Sequence, residues 1–407
     1  MQRGILVNDR CLYTAGAGVS IYLRNVLAHW PDDPSLPLVG MVTHRLHRKR
    51  TWPTGPESKD KRHQPLPLHD LTIPGTRQSL ARLARHWVAH PAYKQAIHIE
   101  LWHGGYAGLW EPNQLAAAAT DMTVTTIHDL SLLEHPQWHP TDRVKRWEHD
   151  IERTLAVTNH WIAVSEFTRS RMIELLGVDA ETVSVALLAA RRLIYPQGPV
   201  LEAERAALGL PRRYLLHVGT LEPRKNISIL LDAYAHLTPA ERGACGLVLA
   251  GGIGWGSNSF WQSLINHRMA DYTLTTGYVS DGDLGVLIAG AEALLQPSFY
   301  EGFGLPILEA MACGCPVFCS DIASFHEVGG GVSWFIDPSD GGAWADVMRQ
   351  VIDEPACLRQ RGDAGRKRAA QFTWQKTAEA HHRVWDGLSA QGDRTRPDQC
   401  RAKGLEN

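Results

Sequence analysis

Short apolar runs alternate with segments of helical periodicity along most of the chain. In the first half, a helical pattern over 19–30 follows the first run, and a helical or loop segment follows each later run. The runs read GILVND, LPLVGMVT, IHIELW, MTVTTIHD and HWIAVS. This alternation is typical of parallel sheets whose strands are joined by crossover helices.

The pattern restarts after a proline-rich connector at 195–211, with the runs RRYLLHVG, GLVLAGG, TLTTGYV, EALLQPS and CPVFCSD. Helical segments such as 227–237 and 281–289 separate these runs. We therefore predict an α/β protein with two doubly wound, Rossmann-like domains that face a central cleft, over residues 1–198 and 199–373. Ligands of such sheets bind beyond the carboxyl ends of the strands, where every motif below falls.

The stretch YEGFGLPILEA places two carboxylates, Glu301 and Glu309, around glycines that would spoil a regular element. EGFG predicts a loop, and LP predicts the first turn of a helix over 305–311. Free amides at a helix start suit an anion. The loop and helix start comprise Gly302, Phe303, Gly304 and Leu305.

Two acceptors beside an anion site match a sugar nucleotide, because its hydroxyls donate hydrogen bonds and its phosphate oxygens accept them. The alternative is that Glu309 only complements the helix dipole and that Glu301 is a solvated loop residue. The spacing alone leaves both interpretations open.

A second glycine-rich turn, TAGAGVSIYLRNV, follows the first apolar run. Gly16, Ala17 and Gly18 could expose amides to a phosphate or to a reacting sugar. Ile21 stands at the third glycine position of the G-x-G-x-x-G fingerprint, so a nicotinamide dehydrogenase is not expected. An ordinary tight turn is the alternative.

The motif VGTLEPRKN ends a strand at Gly219 and places Arg224 and Lys225 just before a helix. Two adjacent cations there oppose the helix dipole, and a bound diphosphate would reverse that effect. We favour a diphosphate site over a solvated surface.

The motif TIHDLSLLEHPQWHP leads His128 and Asp129 directly out of a strand. His128 could act as an acid, as a base or as a hydrogen-bond donor to a sugar hydroxyl, or it could only fix its own loop. After the strand TLTTGYV, backbone groups of Tyr278 and Val279 could read a base edge, although ordinary turn chemistry explains them equally well.

The formal net charge of −2 gives no case for a nucleic-acid partner. No apolar run of about eighteen residues occurs and the chain enters a strand almost at once, so we expect neither a membrane span nor a signal peptide. Seven scattered cysteines favour a reducing, cytoplasmic setting. We expect Cys313, Cys315 and Cys319 to pack in the core, and we expect no metal and no cofactor.

The segment 43–63 is basic and turn-rich, and the helical stretch 75–90 combines arginines with apolar and aromatic residues. Such a combination can hold a protein on an anionic membrane surface. A solvated loop followed by an ordinary surface helix is the alternative.

In this order, the motifs make the chain resemble the retaining glycosyltransferases of family four, which have the GT-B architecture. The resemblance spans roughly 4–385 and is most specific in GTLEPRKN, GYVSDGDL and SFYEGFGLPILEAMACGCPV. Glu301 and Glu309 match the family's E-x7-E signature. The resemblance implies that Arg224 and Lys225 hold the donor diphosphate and that Glu309 binds the ribose hydroxyls.

The same resemblance implies that Glu301 faces the donor sugar and that His128 contacts this sugar near the reacting carbon. The loop 16–18 and the amides of 303–305 would lie at the diphosphate, and 278–279 would lie by the base. A final helix over 374–390 is expected to cross back to the first domain, and 391–407 is expected to form a disordered tail.

Within the family, IHDLSLLEHPQWHP is most like bacterial mannosyltransferases, and related deoxyhexose transferases, of O-antigen-type polysaccharides. This implies a cytoplasmic enzyme, in peripheral contact with the inner face of the plasma membrane. It would move mannose from GDP-mannose onto a lipid-linked glycan with retention of configuration. Alternatives are another donor (GDP-rhamnose, UDP-glucose or UDP-GlcNAc), a sugar-nucleotide epimerase, or a non-catalytic sugar-nucleotide-binding scaffold.

One departure from the family stands near the expected interdomain hinge. The family usually has a proline-asparagine-glycine turn there, whereas this chain reads AARRLIYP and carries Arg191 and Arg192. These arginines could change the contacts of the hinge or of the acceptor, and the sequence does not decide between these roles.

Overall fold

A computed structural model describes residues 4–8, 10–13, 18–33, 35–36, 38–42, 45–48, 97, 106–256, 258–267, 271–355, 358 and 360–394. The basic helical stretch predicted at 75–90 lies outside the described residues, as does most of the expected tail. No helix in the described part of the chain is both long and apolar enough to cross a membrane.

The first sheet has seven strands within the described residues, in the order β3-β2-β1-β4-β5-β6-β7. Its neighbouring strands pair in parallel, except for β2 and β3, which are antiparallel. The strands are Ile5–Asn8 (β1), Leu38–Val42 (β2), Arg45–Arg48 (β3), Gly108–Glu111 (β4), Thr123–Ile127 (β5), His160–Ala163 (β6) and Val183–Val185 (β7). The expectation of a turn-rich loop from residue 43 was therefore wrong for β3.

The helices between these strands begin with α1, which follows the first strand as the apolar pattern predicted. Within the described residues they are Gly18–Ala28 (α1), Ser131–Glu134 (α2), Thr141–Val157 (α3) and Glu166–Leu176 (α4), with 3-10 turns at Arg10–Tyr13, Pro136–Trp138 and Ala180–Thr182.

Among the residues that the structure describes, the second sheet has six parallel strands in the order β10-β9-β8-β11-β12-β13. The strands are Tyr214–Val218 (β8), Gly246–Ala250 (β9), Thr273–Gly277 (β10), Ala293–Gln296 (β11), Val317–Ser320 (β12) and Trp334–Ile336 (β13). The strand order reverses between β8 and β11, which is where open parallel sheets form a ligand crevice.

The helices of the second half pack on both faces of this sheet, so its central strands are buried. In the described part of this half they are Gly198–Ala207 (α5), Ile227–Ala235 (α6), Pro239–Ala244 (α7), Asn258–Asn266 (α8), Asp281–Gly290 (α9), Leu305–Cys313 (α10), Ala323–Gly329 (α11), Gly341–Asp353 (α12), Gly362–Ala369 (α13) and Trp374–Arg394 (α14), with 3-10 turns at Pro223–Lys225 and Gly330–Val332. Three cysteines lie buried in the core as expected: Cys313, Cys315 and Cys319.

Helix α14 contacts α1 of the first domain through a buried hydrogen-bond chain. His381 Nδ1 donates to the Thr377 carbonyl at 2.7 Å, so Nε2 accepts from the Tyr22 hydroxyl at 2.6 Å. The Tyr22 oxygen lies 3.0 Å from Thr126 Oγ1, which accepts from Trp110 Nε1 at 3.1 Å. Each donor in this series of hydrogen bonds has an acceptor, so α14 is held in a fixed position against the first sheet.

We predict that Tyr22→Phe lowers the free energy of unfolding by about 1–3 kcal/mol, because it leaves buried polar atoms of His381 and Thr126 without their partner. Urea unfolding followed by circular dichroism measures the change. Tyr278→Phe removes the same atom from a ring that is 58% exposed, and it should change the value by less than about 0.5 kcal/mol. Equal effects of both variants would contradict the role given to the chain.

Candidate active site

The carboxylate of Glu301 lies at the centre of a buried charge cluster. It accepts hydrogen bonds from Lys225 Nζ, from Arg224 Nη1 at 2.7 Å and from Ser298 Oγ at 3.0 Å. Burial would raise the pKa of Glu301, but Lys225 and Arg224 outweigh it and hold the pKa at about 2. The sequence-predicted diphosphate cations and the first glutamate of the signature are thus brought together.

Arg224 and Lys225 reach this cluster from the 3-10 turn Pro223–Lys225. The turn ends at Asn226, whose backbone has a left-handed φ of 53° and whose side chain donates to the Pro297 and Pro338 carbonyls. Sequence reasoning missed this anchor, although asparagine is one of the few residues that tolerates a left-handed backbone.

Arg224 has further acceptors besides Glu301. Its Nη2 donates to Glu222 Oε1 at 2.8 Å, and its Nη1 donates to the Tyr300 carbonyl at 2.9 Å. The two adjacent cations that seemed unfavourable before a helix are therefore neutralised by buried carboxylates within the chain. A diphosphate would have to share or replace these partners.

The loop after β11 contacts the first domain so closely that only glycine fits at position 302. A Cβ added to Gly302 would lie 1.7 Å from the His128 carbonyl oxygen. The Gly302 carbonyl in turn accepts from Ser165 Oγ at 2.6 Å and from Thr168 Oγ1 at 3.1 Å. Sequence reasoning missed Ser165 and Thr168, although a serine that caps a helix directly after a strand was the available signal.

His128 lies across from this glycine, half-buried, with its ring edge against Tyr22 at 4.8 Å between centroids. Its Nε2 donates to the Pro112 carbonyl at 2.9 Å. Burial lowers the pKa of His128, so the neutral ring is favoured and Nδ1 is left as an acceptor. The neighbouring Asp129 carboxylate accepts from Ser131 N and Oγ at 3.0 and 2.7 Å.

Helix α10 begins where the sequence predicted. Its N-cap, Gly304, has φ 120°, a conformation that favours glycine, and Pro306 occupies its first turn. Leu305 Cδ1 is 3.9 Å from the position of a Cβ on Gly18, so the starts of α10 and α1 face each other. Gly16 and Ala17 lie outside the described residues.

Glu309, one turn into α10, is only 1% exposed, and both its oxygens are occupied. Arg191 donates from Nε to Oε1 at 2.5 Å and from Nη2 to Oε2 at 2.8 Å. The same guanidinium donates from Nη1 to Asp281 Oδ1 at 2.7 Å. The sequence predicted neither this pair nor any other contact of Arg191.

The remaining predicted residues lie at strand ends. A Cβ on Gly219 would lie 3.7 Å from Lys225 Cε, which places this glycine beside the charge cluster. Tyr278 is 58% exposed, whereas Val279 is buried. Phe303 is buried in the core, so its ring is not available to a ligand.

Aromatic side chains that the sequence analysis did not single out join the two domains beside the site. Trp138 stacks on Phe299 at 5.7 Å between ring centroids and on His135 at 4.0 Å. The Trp255 indole donates to the Trp138 carbonyl at 2.6 Å, and Tyr300 donates to Glu134 at 2.7 Å. Within the described residues, no group of three histidine, cysteine, aspartate or glutamate side chains is placed to hold a metal ion.

Residues 202–368 match the family model described as Glycosyl transferases group 1. The chain is 36% identical over 269 residues to the O-antigen chain mannosyltransferase B of Escherichia coli, an alignment that covers 65% of this chain and 70% of that protein. The chain therefore belongs to the group 1 glycosyltransferases. This confirms the predicted family resemblance and its similarity to O-antigen-type mannosyltransferases.

Solved structures share the fold. Sucrose-phosphate synthase from Thermosynechococcus elongatus has a TM-score of 0.68 at 21% identity, covering 96% of this chain and 100% of that chain. HepE of Anabaena, in complex with UDP and glucose, has a TM-score of 0.65 at 17% identity with the same coverage. These structural neighbours are GT-B glycosyltransferases, which confirms the predicted architecture.

We predict that Gly302→Ala destabilises the protein by about 1–3 kcal/mol and separates the domains, because the methyl group meets backbone rather than a side chain that could turn away. Urea unfolding measures the first effect, and the radius of gyration in solution measures the second. The matched control is Gly243→Ala, in a helix with nothing within 4 Å of the added carbon. An unchanged radius of gyration with wild-type stability would contradict the close contact.

Proposed function

We propose that the protein is a retaining hexosyltransferase that moves mannose from GDP-mannose onto a hydroxyl of a growing, lipid-linked bacterial surface polysaccharide. The observation that carries the proposal is the buried cluster of Arg224, Lys225 and Glu301 at the strand ends of the second sheet. Its donor and acceptor classes are supported by the relative named O-antigen chain mannosyltransferase B.

In the proposed reaction, the bond between the anomeric carbon and the diphosphate oxygen breaks while the acceptor oxygen bonds to that carbon on the same face. The acceptor proton passes to a phosphate oxygen. Negative charge grows on the departing diphosphate, so preorganised cations and amides lower the barrier most. Arg224, Lys225 and the amides of 302–305 would supply this stabilisation, with Gly219 and the loop 16–18 lining the same pocket.

Glu301 would exchange part of its cation contacts for hydroxyls of the donor sugar as the diphosphate arrives. Lys225 and Arg224 keep the pKa of Glu301 at about 2. At neutral pH the Glu301 carboxylate is therefore ionised, so it can accept hydrogen bonds but cannot act as an acid. His128 would accept a hydrogen bond from the sugar through Nδ1, because its Nε2 proton is held by Pro112. This favours the acceptor role over the donor role considered from the sequence.

The remaining parts of the proposal concern the nucleotide and the location. Glu309 would bind the ribose hydroxyls, and Tyr278 and Val279 would lie by the base. The enzyme would act in the cytoplasm against the inner face of the plasma membrane, where its acceptor is anchored. The basic residues of 43–90 support this location through their attraction to anionic lipid.

A second candidate keeps the reaction and changes the donor to UDP-glucose. The observation that favours it is the structural neighbour HepE, solved with UDP and glucose. A non-catalytic scaffold would instead bind a sugar nucleotide tightly, transfer nothing and be indifferent to Glu301→Gln.

We predict that GDP-mannose raises the melting temperature more than GDP-rhamnose, UDP-glucose or UDP-GlcNAc does, because a ligand that binds only the folded state adds about 2.7 kcal/mol at a hundred times its Kd. Differential scanning fluorimetry with all four donors measures the shift, and free mannose is the control. A larger shift with a UDP-sugar would move the proposal to the second candidate.

We predict that Lys225→Met lowers kcat by about two to three orders of magnitude, because it removes one preorganised donor to the leaving group. The fold will also lose stability, since Glu301 keeps only Arg224 as a charged partner. Transfer from radiolabelled donor is measured at a temperature where the variant is folded.

Lys367→Met is the matched control, because it removes the same charge from an exposed side chain on α13. Its kcat should equal that of the wild type. Near-normal transfer by folded Lys225→Met would contradict the assignment of the leaving-group site.

A further inference from the structure

Arg191 lies outside the charge cluster and contacts Glu309, the second glutamate of the E-x7-E pair. Its guanidinium covers both oxygens of Glu309 and also reaches Asp281. The three side chains differ in exposure: Glu309 is 1% exposed, Arg191 16% and Asp281 65%. The guanidinium is therefore a bridge from a buried carboxylate to the surface.

Arg191 lies on the linker between β7 and α5, residues 186–197, and this linker is held on two sides. On one side, Trp374 Nε1 donates to the Ala190 carbonyl at 3.0 Å, and Thr377 Oγ1 donates to the Leu187 carbonyl at 2.6 Å. On the other side, a Cβ on Gly285 would lie 2.1 Å from the Ile194 carbonyl oxygen, so the linker lies directly on α9. These contacts hold the backbone on both sides of Arg191, and none of them involves its side chain.

A ribose hydroxyl can bond to Glu309 only if it reaches a carboxylate oxygen. In the structure these oxygens are covered, and the group that contacts both of them is the guanidinium of Arg191. A bidentate arginine–carboxylate pair is among the stronger polar contacts in proteins. The site that the ribose would use is thus already filled by a residue of the chain itself.

We propose that Arg191 is an internal occupant of the ribose subsite and that donor binding exchanges its guanidinium for the two ribose hydroxyls. The inference rests on the proposed role of Glu309 in ribose binding. Arg191 is a positioning residue in this scheme, because it acts through Glu309 and not on the reacting atoms.

The exchange leaves both side chains with hydrogen-bond partners. Glu309 replaces two N–H donors with two O–H donors, and Arg191 keeps its bond to Asp281, a side chain that faces solvent. Because the guanidinium covers both oxygens of a carboxylate that is only 1% exposed, the ribose hydroxyls reach these oxygens only when the guanidinium has moved away. The measured donor affinity is then the intrinsic affinity reduced by the fraction of molecules whose Glu309 is uncovered.

The test compares GDP with 2′,3′-dideoxy-GDP, which lacks both ribose hydroxyls, by isothermal titration calorimetry. UDP and 2′,3′-dideoxy-UDP are measured alongside, and the pair with the tighter ribonucleotide is used. Arg191→Gln should bind the ribonucleotide about tenfold or more tightly than the wild type, because a competing charged contact is gone. Its affinity for the dideoxy compound should change by less than about threefold.

Three further variants make the result specific. Arg192→Gln removes the same charge from the exposed neighbouring side chain and should leave both affinities unchanged. The double variant Arg191→Gln/Glu309→Gln should bind the ribonucleotide no better than Glu309→Gln alone. If Arg191→Gln does not fold, Arg191→Lys keeps the charge but loses the bidentate contact, and it should show a smaller gain of the same sign.

The outcomes are separable. A weaker ribonucleotide affinity in Arg191→Gln, or an equal change for both compounds, would overturn the exchange and make Arg191 a support for Glu309. Failure of every nucleoside diphosphate to bind the wild type would overturn the proposed function, and the inference with it. If Glu309→Gln binds the ribonucleotide as tightly as the wild type does, Glu309 is not part of the ribose site, and the transferase proposal is unaffected.

Discussion

The site depends on one buried electrostatic interaction, the contact of the Glu301 carboxylate with Arg224 and Lys225. Each of the three side chains is about one-tenth exposed, so none of them is solvated well enough to stand alone. Removing these charges from water is costly, and their mutual attraction offsets that cost only if further hydrogen bonds satisfy the remaining donors and acceptors. Ser298, Glu222 and the Tyr300 carbonyl supply these bonds. In the proposed reaction, a leaving group that carries negative charge would meet donors that are already oriented.

The loop that presents Glu301 is also the closest contact between the domains. The carbonyl of Gly302 accepts hydrogen bonds from two hydroxyls, one on the N-cap of α4 and one in its first turn, and a Cβ at this position would meet the backbone of His128. Charge cluster and interdomain contact therefore occupy one short stretch of chain. A change in the distance between the domains would reach the carboxylate directly, because Glu301 and Gly302 are adjacent in the chain.

Much of the fold and part of the site could be predicted from the sequence. The parallel sheets followed from the alternation of apolar runs and helical segments, and the start of α10 followed from Gly304 and Pro306. The antiparallel strand β3 could not be predicted in this way, because its sequence is basic and it forms a strand through its pairing with β2. Contacts between distant residues, such as Arg191 with Glu309 across 118 positions, have no local signal at all.

The same limit explains His128. Its place after a strand predicted that it would reach the cleft, but its tautomer is set by the Pro112 carbonyl, which belongs to a different strand end. Local chemistry thus identified the residue, whereas the tertiary contact determined which nitrogen is available. The domain limits at 198 and 373 remain predictions.

Helix α14 has a consequence for how such enzymes can be recombined. It comes last in the chain, yet its buried histidine completes a hydrogen-bond chain that begins on β4, and its tryptophan and threonine hold the linker. In terms of structure it is a part of the first domain that happens to be synthesised at the end. A chimaera that joins the halves of two relatives would need three segments rather than two, with residues 374–394 taken from the same parent as the amino-terminal half.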